Sequence, residues 1–436
     1  MKSLSKKDLL FIGLMLFSLF FGAGNLIFPP FLGQSAGEFT WIAMIGFFIT
    51  AVCFPVLGVI AVAKSDGLNT LAKRVHPYFA GIFTVLIYLS IGPCIGIPRA
   101  GSLPFEMAVA PYLPEGMSQS LALLIFSLAF FAVSYWLSLS PTKLVDRMGK
   151  ILTPALLGLI LIVVLAALFN PLGNYDVATG DYIKQPFVKG FLEGYMTMDT
   201  IAALNFGIVI ALAIKTKGVE DKKEMVSTTV KAGLIAGGLL IAVYCMLAHL
   251  GASSGGRFGM TENGAQTLTY VTNYLFGKPG AILLAIIFTL ACLTTCVGLL
   301  TSCSQYFASL TKKISYKNWV RILSLSSMLL ANMGLTRILA ICGPVLDIIY
   351  PIAIILIVLG MIDRFLKGSS IIYSLTILFT GVVSTVYALE QIKMTLGVVN
   401  KLFAMLPLYN EGLGWLLPAI VGMLIGIIIE KRQQLL

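Results

Sequence analysis

Hydrophobic positions along this chain form long runs that short polar segments separate. Each run is close to the ~20 residues that a helix needs to cross the hydrocarbon core of a bilayer. Twelve runs can be placed, at residues 9–31, 40–63, 78–98, 120–138, 150–169, 191–214, 228–250, 280–309, 319–335, 338–360, 370–388 and 413–430. The pattern predicts an all-α integral membrane protein of about twelve transmembrane helices, with residues 1–436 in a single transmembrane domain.

The first run is interrupted in its middle by Gly22, Gly24 and Asn25. Glycine beside asparagine favours unwinding, and unwound backbone in hydrocarbon lacks hydrogen-bond partners unless protein, water or a ligand supplies them. A second candidate break lies in the sixth run, at residues 198–207 (MDTIAALNFG). Interrupted spans in corresponding halves of a membrane chain are typical of secondary transporters, in which they mark the substrate site.

The properties of the runs also correspond at an offset of five helices. The first and sixth are interrupted, and the third and eighth are both long and rich in small polar groups. Because five is an odd number, the second copy enters the membrane inverted. We therefore predict a five-plus-five inverted repeat of residues 9–169 and 191–360, followed by two additional helices at residues 370–430.

Composition and charge support membrane insertion and exclude a nucleic-acid partner. The chain is 58% hydrophobic and 11% charged, whereas soluble domains carry about 25% charged residues. If alternate loops lie on opposite sides, 22 of the 30 Lys and Arg residues fall on the side of the N-terminus and eight on the other. This asymmetry follows the positive-inside rule and predicts a multi-pass protein of the cell membrane with both termini cytoplasmic.

The first break supplies free backbone groups that suit an amino acid. N–H groups at the start of a half-helix can hold a carboxylate, and carbonyls at a half-helix end can hold an ammonium group or a cation. The alternative is close helix packing through the glycines. The candidate substrate-binding residues of this break are Phe20, Phe21, Gly22, Ala23, Gly24 and Asn25.

Asp199 is the outstanding polar residue of the sixth run. An acid within a membrane segment is costly and is a functional candidate by default. It is suited to hold a substrate ammonium group, a cation or a proton, and the alternative is an acid that caps the span near the outer interface. Thr200, Asn205 and Phe206 follow it and complete the candidate substrate-binding set.

Adjacent hydroxyls in the eighth run suggest a cation site. Thr294 and Thr295 follow Ala291 by one helical turn. Hydroxyls in an apolar helix often bond back to carbonyls of their own helix. The alternative is sodium bound by both hydroxyls and by carbonyls of Ala291 and the first break, since a small hard cation prefers oxygen ligands.

Arg99 and Asp347 are candidate gate residues. Arg99 lies near the outer end of the third run, and Asp347 lies within the tenth. A pair between them would close an outer vestibule. The alternatives are that Arg99 extends outward to the interface or that it pairs with Glu106.

Three stretches together resemble the bacterial branched-chain amino acid:cation symporters: LFFGAGNLIFPPFLGQSAG, IGPCIGIPRAGSLPFEM and GYMTMDTIAALNFG. The likeness covers nearly the whole chain. It implies import of leucine, isoleucine and valine, and the five-plus-five fold of the amino acid–polyamine–organocation superfamily. That superfamily's sodium site uses carbonyls near the first break and hydroxyls of the eighth helix, and some members are proton-linked. The positions that match the sodium site are Ser18, Phe21, Ala291, Thr294 and Thr295.

The leading hypothesis is a secondary active importer of these amino acids that works by sodium symport and alternating access. Sodium is the expected coupling ion, and we expect no other cofactor and no obligate protein partner. The alternatives are proton-coupled symport of the same substrates, and an exchanger or exporter of other small apolar amino acids. An enzyme is disfavoured because the spans lack clustered His, Asp and Cys residues. A channel is disfavoured because two broken helices indicate a closed central site.

Overall fold

The computed structural model describes residues 4–394 and 396–435, and over these ranges the chain is mainly helical. Its α-helices are α1 Lys6–Phe20, α2 Ala23–Ala36, α3 Thr40–Phe48, α4 Phe54–Lys64, α5 Leu68–Lys73, α6 Pro77–Leu89, α7 Gly96–Ala108, α8 Gln119–Ser138, α9 Thr153–Phe169, α10 Pro186–Tyr195, α11 Asp199–Lys215, α12 Lys222–Phe258, α13 Gly264–Phe276, α14 Lys278–Leu310, α15 Tyr316–Ala331, α16 Leu335–Leu366, α17 Ser370–Gln391, α18 Val398–Phe403 and α19 Leu416–Leu435. Wide π-type turns at Ile49–Cys53 and Ser90–Cys94 join α3 to α4 and α6 to α7.

The predicted apolar runs all fall on helices, which confirms an all-α membrane fold for the described residues. Eight helical segments there are long and apolar enough to cross a membrane, and the bent pair α10–α11 makes a ninth. By contrast, α1 has 15 residues and α15 has 16, fewer than the ~20 of a full crossing. The number of twelve crossings therefore stays a prediction.

Both predicted breaks occur, and the second lies at the N-terminal edge of the predicted range. Gly22 is extended (φ −106°, ψ −165°) between α1 and α2, as predicted. The sixth span breaks at residues 196–198, where Met198 is left-handed (φ 67°) and α10 bends by 41° into α11. The predicted range 198–207 includes the break only at Met198, because Asn205 and Gly207 lie inside the continuous helix α11. The Thr197 hydroxyl, one residue before the N-cap Met198, accepts the Asp199 N–H at 3.4 Å.

Small residues allow the helices around the first break to approach closely. A Cβ atom on Gly33 of α2 would lie 2.0 Å from the carbonyl oxygen of Ala248 on α12. A Cβ atom on Gly264 would lie 1.8 Å from the carbonyl oxygen of Ile27, so α13 packs directly on α2. Such backbone contact between helices is typical of membrane bundles. It covers the second half of the broken span with protein.

The third predicted span is also irregular. Gly92 is non-helical (φ −85°, ψ −116°) in the turn between α6 and α7. A Cβ atom there would lie 2.6 Å from the Sγ atom of Cys303, so α14 approaches the kink closely. Three interrupted spans and α14 therefore surround the centre of the bundle.

Two ion pairs join chain segments at one end of the molecule. We call it the lysine-rich end, because it contains Lys215, Lys217, Lys222 and Lys223. Lys217, just after α11, pairs with Asp8 of α1 at 2.8 Å, and Lys222 pairs with Asp66. Both pairs are partly exposed, so each adds little to stability. The first pair nevertheless links the lysine-rich ends of the two broken spans.

Candidate functional site

A small cavity lies where the two broken spans meet. Its volume is about 50 Å³, which is room for a few water molecules. The polar side of its wall contains Gly22, Ala23, Gly24, Asn25, Arg99, Thr197, Asp199 and Thr295, and the apolar side contains Leu19, Phe20, Ile91, Ala100, Met198, Ala202 and Leu299. We call this space the central cavity. The structure thus brings together predicted substrate residues from both breaks.

Asn25 and Asp199 are joined directly, together with a tyrosine that the sequence did not indicate. The Asn25 amide donates to Asp199 Oδ2 at 2.5 Å and contacts the hydroxyl of Tyr244 on α12. The Tyr244 hydroxyl donates to Asp199 Oδ2 at 3.4 Å. Asn25 Oδ1 also accepts the Gly22 N–H at 3.0 Å. One buried network therefore holds both breaks and α12 together.

Asp199 is a buried acid at the first residue of α11 and is only 3% exposed. The free N–H groups of a helix start carry partial positive charge, which favours a carboxylate there. The sequence also allows the alternative that Asp199 caps the span near the outer interface. Asp199 does lie at the start of a helix, but this start is at the central cavity. None of the ion pairs among the described residues includes Asp199. Its carboxylate is thus available to a cation, an ammonium group or a proton.

Arg99 points into the central cavity instead of outward. Its Nη1 atom donates to the Met196 carbonyl at 3.2 Å and lies 3.0 Å from Met198 Sδ. Its guanidinium lies 5.7 Å from the centre of the Phe28 ring. Arg99 and Asp199 interact electrostatically without forming a direct ion pair. The cavity therefore has a cation and an anion in its wall.

Asp347 does not meet Arg99. It lines a separate small cavity with Tyr387, Tyr409 and Trp415, which belong to α17 and to the segment before α19. The side chain of Asp347 faces these C-terminal elements, whereas Arg99 faces the second break. The predicted Arg99–Asp347 gate pair is therefore not formed in this structure.

Two predicted polar residues of α11 lie behind the cavity wall. The Thr200 hydroxyl donates to the Thr50 carbonyl at 2.9 Å. The Asn205 amide contacts Cys303 Sγ at 3.9 Å, and its Oδ1 atom is buried without a hydrogen-bond partner. These contacts join α11 to neighbouring helices.

The predicted aromatic residues form a packed layer around the break. Phe20 lines the cavity and meets Phe206 edge to face, with ring centres 5.6 Å apart. Phe21 stacks on Phe17 at 5.0 Å and faces Tyr244 at 6.2 Å. Phe21 and Phe206 therefore support the wall from outside the cavity.

The predicted sodium ligands lie where α14 passes the end of α1. Thr295 Oγ1 donates to the Ser18 carbonyl at 3.5 Å, and a Cβ atom on Gly22 would lie 3.0 Å from the same hydroxyl oxygen. Thr294 Oγ1 instead donates to the Ala291 carbonyl of its own helix at 3.0 Å. Thr295 therefore faces the first break, whereas Thr294 makes the local bond expected of a hydroxyl in an apolar helix.

A larger cavity opens at the lysine-rich end of the molecule. It has a volume of about 620 Å³, and its wall includes apolar faces of α4, α6, α11 and α14 and the charged residues Asp66 and Lys222. Tyr88 lines this cavity, and Ile91, three residues later, lines the central cavity. Three residues correspond to about 4.5 Å of helical rise. Residues close together along this stretch of chain therefore line the two different cavities.

The chain matches known proteins over nearly its whole length. The profile of the family described as "Branched-chain amino acid transport protein" covers residues 5–433. The branched-chain amino acid permease BraB of Bacillus subtilis is 47% identical over 98% of this chain and 96% of its own. The permease BrnQ of the same organism is 45% identical over 98% of both chains. The branched-chain amino acid transport system 2 carrier protein of Pseudomonas aeruginosa is 42% identical over 97% of this chain and 96% of its own.

A solved structure shares the fold. Mhp1, a nucleobase-cation-symport-1 family transporter in a closed conformation with bromovinylhydantoin bound, aligns with a TM-score of 0.54 over 97% of this chain and 92% of its own. At 15% identity this likeness concerns the fold alone. The family profile and the permease relatives are those of multi-pass membrane transporters and not of enzymes. This chain therefore belongs to the branched-chain amino acid transport protein family.

Proposed function

We propose that this protein imports leucine, isoleucine and valine across the cell membrane by symport with sodium, through alternating access. The observation that carries the proposal is the central cavity, whose wall contains Asp199 from one break and Gly22, Gly24 and Asn25 from the other. An amino acid presents a cation and an anion a few ångströms apart. The cavity offers a complementary group for each.

The apolar wall supports a branched aliphatic side chain as the third element of recognition. Leu19, Ile91 and Leu299 lie beside the polar groups. A lysine or glutamate side chain would place an uncompensated charge against this surface, which is costly. The cavity of about 50 Å³ is too small for leucine, so the wall must move apart when the substrate binds.

Sodium is the coupling ion that we propose. The Thr295 hydroxyl and the Ser18 carbonyl converge beside the same break that binds the substrate. Neutral oxygens suit a hard monovalent cation. Proton coupling is the second candidate, and the buried Asp199 carboxylate favours it because no ion pair among the described residues neutralises this group.

We further propose that the lysine-rich end faces the cytoplasm, together with both termini. The excess of Lys and Arg in the loops at that end supports this orientation. In this orientation the 620 Å³ cavity is an inner vestibule. Substrate would leave the central cavity past Ile91 and Tyr88.

Uptake of radiolabelled leucine into proteoliposomes tests the proposal when sodium and pH gradients are imposed separately. We expect accumulation with an inward sodium gradient and none with a pH gradient in sodium-free buffer, with protein-free liposomes as the control. A pH gradient without sodium could instead drive accumulation that is lost in Asp199→Asn and retained in Thr295→Val. This result would show that protons, and not sodium, are the coupling ion. Failure of either gradient to drive accumulation would contradict import.

A further inference from the structure

Arg99 is a cation in the wall of the central cavity that forms no direct ion pair with any described residue. It lies in the apolar segment Pro77–Tyr112. Its contacts are neutral groups: the Met196 carbonyl, the Met198 sulfur and the Phe28 ring. A charge in a membrane segment is costly and normally marks a ligand or ion pathway. Because a guanidinium has five N–H donors, several donors of Arg99 are available to a ligand.

Arg99 and Asp199 lie in the wall of the same cavity, and each is held by its own neighbours. Asn25 and Tyr244 hold the Asp199 carboxylate, whereas the Met196 carbonyl holds the Arg99 guanidinium. Opposite charges attract strongly in surroundings of low dielectric constant. Arg99 and Asp199 nevertheless do not pair with each other directly. Each charged group is therefore available to the opposite charge of a ligand in the cavity.

Gly24 allows the guanidinium to reach the backbone of the first break. A Cβ atom on Gly24 would lie 3.0 Å from Arg99 Nη2 and 3.3 Å from the Phe28 ring. The N–H groups of the first turn of α2 lack helical partners. The cation and this helix start therefore face the same region, which suits an anion.

We propose that Arg99 binds the α-carboxylate of the substrate while Asp199 binds its ammonium group, so that the protein selects ligands carrying both charges. The inference rests on the proposed function and adds the residue that recognises the carboxylate. A guanidinium matches a planar carboxylate with two parallel hydrogen bonds. A ligand that lacks either charge loses one of the two contacts.

Equilibrium binding of leucine and leucinamide to the purified full-length protein tests this proposal. Leucinamide keeps the ammonium group and the side chain but replaces the carboxylate by a neutral amide. We expect the wild-type protein to bind leucine about 10- to 100-fold more tightly than leucinamide, as for loss of one charged hydrogen-bonded contact. In Arg99→Gln, leucine affinity should fall to that of leucinamide. Arg99→Lys should keep part of the preference, because it retains the charge without the planar fork.

Arg257→Gln is the matched control. Arg257 lies at the end of α12, donates to the Leu172 carbonyl at 2.8 Å and covers the Tyr274 ring, so its loss should leave the preference for leucine unchanged. Equal binding of both ligands by the wild-type protein would overturn the proposal. An unchanged preference for leucine in Arg99→Gln would also overturn it. An equal loss of affinity for leucine and leucinamide in both Arg99→Gln and Arg99→Lys would overturn it too, because it would indicate a structural role for Arg99. A wild-type protein that binds no leucine would instead contradict the proposed function.

Discussion

At the scale of residues, the Asn25–Asp199–Tyr244 network determines the shape of the central cavity. The three side chains come from α2, α11 and α12, and all are buried. Hydrogen bonds in such surroundings are stronger than in water, and removing one partner leaves another group unsatisfied. The network therefore positions Asp199 and also restrains the two breaks.

The Tyr244 hydroxyl should matter for ligand binding more than for folding. Tyr244→Phe keeps the buried ring and removes the hydroxyl, so we expect leucine affinity to fall about tenfold. Tyr373→Phe is the control, because Tyr373 is equally buried and bonds to Leu359 and Asp363 away from the cavity. Binding and thermal unfolding should be measured for both variants. Equal leucine affinity in both would remove Tyr244 from the site.

Gly24 should be required for binding and not for stability. Gly24→Ala places a methyl group against the Arg99 guanidinium and should lower leucine affinity. Gly238→Ala on α12 is the control, because a Cβ atom there meets nothing within 4 Å. Alanine favours a helix over glycine by about 1 kcal/mol, so neither variant should unfold at a lower temperature. Unchanged leucine affinity in Gly24→Ala would contradict the position given to Arg99.

Residues that are unusual in an apolar run were predictable, and those defined by contacts were not. Asn25 and Asp199 are conspicuous because polar groups are costly in a bilayer. Tyr244 lies in an ordinary apolar run, and only the packing of α12 against α2 brings it to Asp199. The inward direction of Arg99 likewise depends on the Met196 carbonyl, which is exposed by a break that the predicted range 198–207 includes only at Met198.

At the scale of elements, the two breaks have different causes. Gly22 and Gly24 make the first one predictable, since glycine is a poor helix former. The second depends on Met198 in a left-handed conformation, which no local pattern indicated. Gly207 resembles a helix breaker, yet it serves packing: a Cβ atom there would lie 2.3 Å from a methyl carbon of Val62.

The contact of α14 with the first break gives a ranked prediction for sodium. Thr295→Val removes the hydroxyl that faces the Ser18 carbonyl, whereas Thr294→Val removes one bonded within its own helix. Both should raise the sodium concentration needed for half-maximal leucine binding, and Thr295→Val should raise it more. Because coupling is reciprocal, saturating sodium should restore leucine affinity. Sodium dependence that is unchanged in both variants would exclude this site.

At the scale of the whole molecule, the structure contains a narrow central cavity and a wide cavity at the lysine-rich end. Ile91 lines the central cavity, and Tyr88, three residues earlier in the chain, lines the wide cavity. The long apolar runs made the helical architecture predictable, whereas the orientation predicted from the uneven charge of the loops stays a prediction. The predicted Arg99–Asp347 pair does not form, because pairing across helices depends on how each helix is rotated in the bundle.

Accessibility of the larger cavity can be measured with an introduced cysteine. Ala211 lines this cavity, whereas Ala213 on the same helix is 6% exposed and buried in the bundle. An impermeant maleimide should label Ala211→Cys from the cytoplasmic side and leave Ala213→Cys at the level of the unsubstituted protein. Labelling of Ala211→Cys from the outer side alone would reverse the proposed orientation.

The central claim is that one site between the two breaks selects branched-chain amino acids. Competition against bound radiolabelled leucine on the purified protein tests it most directly. Leucine, isoleucine and valine should displace the label over a similar concentration range, whereas lysine and glutamate should not. Asp199→Asn should weaken all three branched-chain ligands together, by about tenfold or more. Displacement by lysine or glutamate, or unchanged affinities in Asp199→Asn, would contradict the account.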